Sequence, residues 1–150
     1  MYAPGRAVSR TEFLKLMMEA FDLVQTGRTS SFTDVKAGQW YADAVSSAQA
    51  LGIGTGYEDG TFGASRSITR EEMAVMAVRI MKAAGMEPQK VREADLFGDA
   101  SQISAFATEA VNIMAEAGFI EGQGTGDFAP KSQTTRAEAS VLAARILGLI

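Results

Sequence analysis

Three short stretches of this chain repeat: Ser9-Arg10-Thr11-Glu12, Thr69-Arg70-Glu71-Glu72 and Thr135-Arg136-Ala137-Glu138. Each sets a hydroxyl residue three positions ahead of a glutamate, and an apolar helical pattern follows at once. That is a capping box, in which the hydroxyl oxygen takes an orphan amide proton and the glutamate reaches back to the cap amide. A chain that starts the same helix three times is constrained first of all to be a repeat. The capping hydroxyls lie 60 residues apart (9 to 69) and then 66 (69 to 135), which puts the extra length in a connection rather than in the packed units. Tyr2-Ala3-Pro4, Phe62-Gly63-Ala64 and Phe128-Ala129-Pro130 precede the three boxes, and Val8, Ile68 and Thr134 sit directly ahead of the capping residues.

A second block lies upstream of two of the boxes. One copy reads Phe32-Thr33-Asp34-Val35, Trp40-Tyr41, then Ala44, Val45, Ala48 and Leu51; the other reads Phe97-Gly98-Asp99, Phe106-Ala107, then Ala110, Val111, Met114 and Ala117. Steps of three and four predict one apolar helix face in each. Gly52 and Gly118 then stop these helices as left-handed C-caps. Glycine-rich loops follow, Gly54 to Phe62 with an Asp59-Gly60 turn, and Gly122 to Phe128. In the helices after the boxes the expected apolar faces are Phe13, Leu16, Met17, Ala20, Phe21 and Val24; Met73, Met76, Ala77, Ile80, Met81 and Ala84; and Ala139, Leu142, Ala143, Ile146 and Leu147. The unit is thus Phe-x-Asp, aromatic, helix, glycine loop, capping box, helix, in an all-α chain. The expected division is the second half of copy one at 1–28, copy two at 29–90 and copy three at 91–150, all within one domain.

The arginine in each box is out of place by local preference. A cation in the first helical turn faces the positive end of the helix dipole, a loss of a few tenths of a kcal/mol or more. Three such placements point to an anionic ligand; the other reading is a structural ion pair or a solvated charge at the helix start. The rest of the composition narrows the classes. The chain has no Cys and no His, which removes disulfides, thiolate zinc sites and the Ser-His-Asp and Cys-His arrangements. A net charge of −4 argues against nucleic acid as partner. No apolar run approaches the length of a membrane span, and no basic segment followed by an apolar one opens the chain as a signal peptide does. Glu58-Asp59-Gly60 lacks the alternating oxygens and closing glutamate of an EF-hand, so neither a metal nor a cofactor is expected. Every acidic residue considered for glycosidase chemistry has a turn or capping role, so no enzyme is expected.

Phe32-Thr33-Asp34-Val35, Trp40, Gly56-Tyr57-Glu58-Asp59-Gly60-Thr61-Phe62 and Ile68-Thr69-Arg70-Glu71-Glu72, with Phe97-Gly98-Asp99 and Thr135-Arg136-Ala137-Glu138, resemble the surface-layer homology (SLH) domain. The resemblance covers nearly the whole chain, as about two and a half of a usual three tandem repeats. It implies a three-lobed, mostly helical, pseudo-threefold domain with grooves between lobes, on the outer wall of bacteria. It also implies non-covalent wall anchoring through a secondary cell-wall polysaccharide whose N-acetylmannosamine carries a pyruvate ketal. An arginine beside helix N-terminal amides suits the carboxylate of that ketal.

The candidate ligand-binding residues are Arg10, Arg70 and Arg136 with Asp34, Trp40, Gly56, Tyr57, Asp99, Gly122 and Gln123. Copy two is the most complete, so a groove of its residues, with an arginine of its own or a neighbour's, is the expected site. Copy three carries Phe106 for the tryptophan and Gln123-Gly124-Thr125 for Tyr-Glu-Asp. Trp40 stacks on a sugar ring or fills the core. Asp34 is a turn residue or a ligand contact, and the glycines around Tyr57 are turn punctuation or allow a ligand close to the backbone. Glu12, Glu72 and Glu138 are caps. The alternative function is a protein–protein assembly module that self-associates through the incomplete first copy, because the helix beginning near Arg10 lacks its partner and leaves an apolar face for a second copy, an upstream segment that completes the copy, or the last helix to cover.

Overall fold

The computed structural model describes residues 5–54, 56–91, 93, 97–120 and 126–149. Among them are five α-helices: α1 Arg10–Ala20, α2 Ala42–Ala50, α3 Arg70–Ala83, α4 Thr108–Glu116 and α5 Arg136–Ile146, with one 3-10 turn at Ala100–Gln102. The only β pairing among the described residues is three isolated bridges, so the all-α expectation holds. All three capping boxes form. Ser9, Thr69 and Thr135 accept from the amides of Glu12, Glu72 and Glu138, and each glutamate accepts from its cap amide in return. At the other end of α2, Gly52 turns left-handed at φ 75°, its amide donates to Gln49, and Ile53 donates to Ala48 at 2.8 Å, which is a Schellman motif. Gly118 and Phe119 close α4 in the same way.

The three copies join head to tail in a ring of backbone hydrogen bonds. The Val8 amide donates to Thr134 at 2.9 Å, Thr134 to Ile68 at 2.9 Å, and Ile68 back to Val8 at 3.0 Å. One residue-pair further out, the amides of Arg10, Arg70 and Arg136 donate to Arg66, Ser132 and Arg6. The bridges Ala7↔Thr135, Ser9↔Ser67 and Thr69↔Gln133 repeat the same cyclic relation. The positions just ahead of the caps are therefore the hub. Ile68 and Thr134 are fully buried and Val8 nearly so.

Around this hub, α1 packs on α2 and α3 on α4, so each lobe joins the second helix of one copy to the first helix of the next. This corrects the expectation for the helix beginning near Arg10. Its Phe13, Leu14, Met17 and Met18 are fully buried, with α2 covering them. The apolar face also sits one position round from the expected one, since Leu14 and Met18 are inside while Leu16 and Ala20 are exposed. Among the described helices α5 is the one with no lobe partner; Val141 on it and Leu147 and Leu149 just after it are 40%, 42% and 72% exposed. Leu147, expected in the core, belongs to that exposed set.

Between helix and loop, Asp34 fixes each lobe's outer end. Its carboxylate accepts from the amides of Phe62, Gly63 and Ala64 at 2.8, 3.0 and 2.8 Å. Asp99 repeats this on Phe128 and Ala129 at 2.9 and 2.8 Å. The neighbouring phenylalanines pack at a tilt inside each lobe, Phe32 on Phe62 at 5.5 Å and Phe97 on Phe128 at 5.4 Å between ring centres. The Phe-x-Asp signature is thus one device: the ring anchors the segment in the core and the carboxylate holds the glycine loop.

Candidate functional site

The boxes' arginines and glutamates pair across copies. Arg10 Nη1 lies 2.8 Å from Glu72, Arg70 pairs with Glu138, and Arg136 Nη2 lies 2.7 Å from Glu12. The ring closes because every copy gives its arginine to one neighbour and its glutamate to the other. Arg10 Nε also donates to the Phe62 carbonyl at 3.0 Å, and Arg70 Nε to that of Phe128 at 2.7 Å. Their guanidinium groups stack on the rings of the same residues at 4.8 and 5.0 Å. Sequence offset explained the glutamates as caps; the structure gives them a second role as internal counter-ions. A carboxylate ligand arriving at Arg10 or Arg70 has to compete with one already in place.

The third arginine is held differently. The side chain of Arg136 is 35% exposed against 9% for Arg10 and 8% for Arg70. Its Nε finds no acceptor among the described residues, and its partner Glu12 is shared with Arg6 at 2.6 Å. Burial raises the Glu12 carboxyl, but hydrogen bonds from Ser9 and the charges of Arg6 and Arg136 outweigh it and hold the group below the ordinary glutamate value.

Two grooves run beside this ring at matching places. The first, of about 310 Å³, takes Arg10 from copy one, Gly56, Tyr57 and Glu72 from copy two, and Phe106 from copy three. The second, of about 440 Å³, takes Arg136 from copy three, Glu12 from copy one and Trp40 from copy two. Both volumes are in the range of small-ligand sites. Trp40 is 58% exposed and Phe106 64%, so neither fills the core. Trp40 is held upright by an edge-to-face contact with Tyr41 at 5.0 Å. Tyr57 lies under the Arg10 guanidinium at 5.0 Å, with its hydroxyl donating to Glu72 at 3.2 Å. Burial, the first cause, and the Glu72 charge push the phenol above its ordinary value against the pull of Arg10 and Arg66, so it stays a neutral donor.

The expected site residues are thus divided. Arg10, Gly56 and Tyr57 share the first groove; Arg136 and Trp40 share the second. Arg70 lies in neither, against Phe128 of copy three, so the arginine that completes copy two's loop is the one contributed by copy one. Asp34 and Asp99 face loop amides. Gly56 is required by packing: at φ 70° a Cβ there would stand 2.5 Å from the Phe32 ring and 2.6 Å from the Thr61 carbonyl. Gly122 and Gln123 lie outside the described residues. The expected set omitted Phe106, Ile53, Met76 and Arg79 of the first groove and Lys15 and Leu16 of the second. The match of Phe106 to Trp40 in the repeat was the signal for the first of these.

Known proteins share this pattern. The chain is 36% identical over 150 residues to an amylopullulanase of Thermoanaerobacterium thermosulfurigenes, covering 99% of this chain and 8% of that protein. It is 37% identical over 150 residues to exoglucanase XynX of Acetivibrio thermocellus, again over 99% of this chain and 13% of the relative. A cellulosome-anchoring protein of the same organism is 29% identical over 157 residues, covering 98% of this chain and 33% of the relative. The chain therefore spans a third or less of the length of these proteins, and the likeness to the two named as enzymes concerns a small part of each. The model of one family, the S-layer homology domain, matches residues 31–74 and 96–140, which are the Phe-x-Asp, loop and capping-box segments of copies two and three. On these grounds the chain belongs to the S-layer homology domain family.

Proposed function

We propose that this chain anchors its parent protein non-covalently to a bacterial cell wall by binding a pyruvylated, N-acetylmannosamine-containing secondary wall polysaccharide in its inter-lobe grooves. The observation that carries this reading is the build of the grooves: each sets an exposed aromatic ring of one copy beside an arginine of another. An exposed indole or phenyl face suits the apolar face of a sugar ring, and a guanidinium suits a carboxylate. The family and the anchoring relative support the cell surface as the place of action. The role is binding, not turnover. Co-sedimentation with purified walls carrying the polysaccharide tests it. Trp40→Ala and Phe106→Ala should each weaken retention about five- to thirtyfold, from about 1–2 kcal/mol of ring contact. Full retention by the double variant would refute groove binding.

A second reading, a self-associating assembly module, rests on α5 with its exposed Val141 and on Leu147 and Leu149, exposed just beyond its end. In that reading a second copy covers the helix. A monomeric mass in sedimentation velocity across the accessible concentration range would dismiss it.

A further inference from the structure

The two grooves differ in which cation is open to a ligand, and the difference identifies a contact within the glycan-binding reading, on which it rests. In the first groove Arg10 is nearly buried and already engaged. Its Nε and Nη1 are bound to Phe62 and Glu72, and its two faces meet the rings of Tyr57 and Phe62. Displacing Glu72 would also disturb the cap of α3 and the Tyr57 hydroxyl bond. Arg66 is held on the outside of the same tyrosine, 4.3 Å from its ring centre.

Arg79 lines the same groove from further along α3 and is exposed. Its hydrogen bond among the described residues is a long one, 3.3 Å from Nη1 to the Ile53 carbonyl, and no carboxylate of the described residues pairs with it. Most of its guanidinium donors have no partner among the described residues, in a groove whose Met76, Val75, Ile53 and Phe106 offer an apolar wall. The second groove has Glu19 at the matching position of α1, paired with Lys15 one turn earlier, so that point carries no open cation. There the partly exposed Arg136 is the accessible one.

We infer that Arg79 is the residue of the first groove that receives the ligand's carboxylate, while Arg10 is a positioning residue that holds Tyr57 and the glycine loop. The carboxylate thus binds about two and a half helical turns along α3 from Arg70 of the capping box, with the sugar between it and Phe106. The consequence is that the two grooves read the acid through different positions, the first through Arg79 and the second through Arg136.

The test is a calorimetric titration with fragments of pyruvylated wall polysaccharide and with the same fragments after hydrolysis of the ketal. In a Trp40→Ala, Arg136→Gln chain, whose second groove has lost both its aromatic ring and its accessible arginine, binding of the pyruvylated fragment should persist. Adding Arg79→Gln should lower its affinity about tenfold or more and abolish the preference for the ketal, with the thermal midpoint unchanged. Loss of all binding in that double variant, or a ketal preference retained once Arg79→Gln is added to it, overturns the assignment to Arg79. Equal affinity of the wild-type chain for both fragments overturns the acidic-glycan reading itself.

Discussion

Replacing Arg10 by methionine tests whether the arginines of the capping boxes are structural members of the hub. The substitution keeps an apolar stem against Tyr57 and Phe62 but removes two charged hydrogen bonds, 3.0 Å to the Phe62 carbonyl and 2.8 Å to Glu72. Charged hydrogen bonds contribute about 1.5–3 kcal/mol each. Relief of the desolvation of a nearly buried guanidinium offsets part of that. Glu72, with 20% of its side chain exposed, keeps its bonds to Thr69 and Tyr57 and regains water, so it is not left orphaned. The net loss is then about 2–4 kcal/mol, a large share of the roughly 5–15 kcal/mol that holds a domain together. For a chain of 150 residues that is a fall in melting temperature of about 6–12 °C, at about 3 °C per kcal/mol. Urea denaturation and calorimetry measure it, and a double-mutant cycle with Glu72→Gln isolates the pair. A loss under about 1 kcal/mol, or effects additive within about 0.3 kcal/mol, would show that the pair is an ordinary solvated contact.

Other sites give sharper signs than sizes. Thr134 sits fully buried at the hub beside Val8 and Ile68, and its hydroxyl has no partner among the described residues. Thr134→Val should stabilise by about 1 kcal/mol in urea titration with an unchanged slope, because a buried unpaired hydroxyl is removed at equal shape. Asp34 has its carboxyl held below the ordinary value: burial raises it, but the amides of Ala64, Phe62 and Gly63 lower it more. Its contribution is present above the unfolded value of about 3.9 and is lost as pH falls through the lower folded value. The wild-type melting temperature should therefore drop through that acid range, and Asp34→Asn should be less stable at pH 7 with a shallower acid drop. An equally steep drop in the variant would contradict the role given to those three amides.

Local signals in the chain translated well into local structure. Hydroxyl-to-glutamate offset and glycine after an apolar helix each describe contacts within a few residues, and each forms as expected, whereas the Phe-x-Asp carboxylate reaches amides 28 to 30 residues further on. What the chain hid is the cyclic exchange between copies. Arg10 meets Glu72 and Arg136 meets Glu12 across separations of 62 and 124 residues, with no local spacing to announce them. The same exchange explains the misplaced open face. Counting by repeat pairs the two helices of one copy, whereas the fold pairs α1 with the next copy's α2 and leaves α5 without a lobe partner. It also explains why the arginine that completes copy two's loop comes from copy one. Arg79 carried no signal, since an arginine on a helix face reads as a solvated charge until Phe106 and Tyr57 are seen across from it.

The most direct test of the central claim is a titration of the wild-type chain with matched wall-polysaccharide fragments, pyruvylated and ketal-free, at low and physiological ionic strength. Arginine-lined grooves predict affinity at least about tenfold higher for the pyruvylated fragment, since one charged hydrogen bond contributes about 1.5–3 kcal/mol, and a preference that shrinks as salt rises. Equal affinity for the two fragments at both ionic strengths would contradict it.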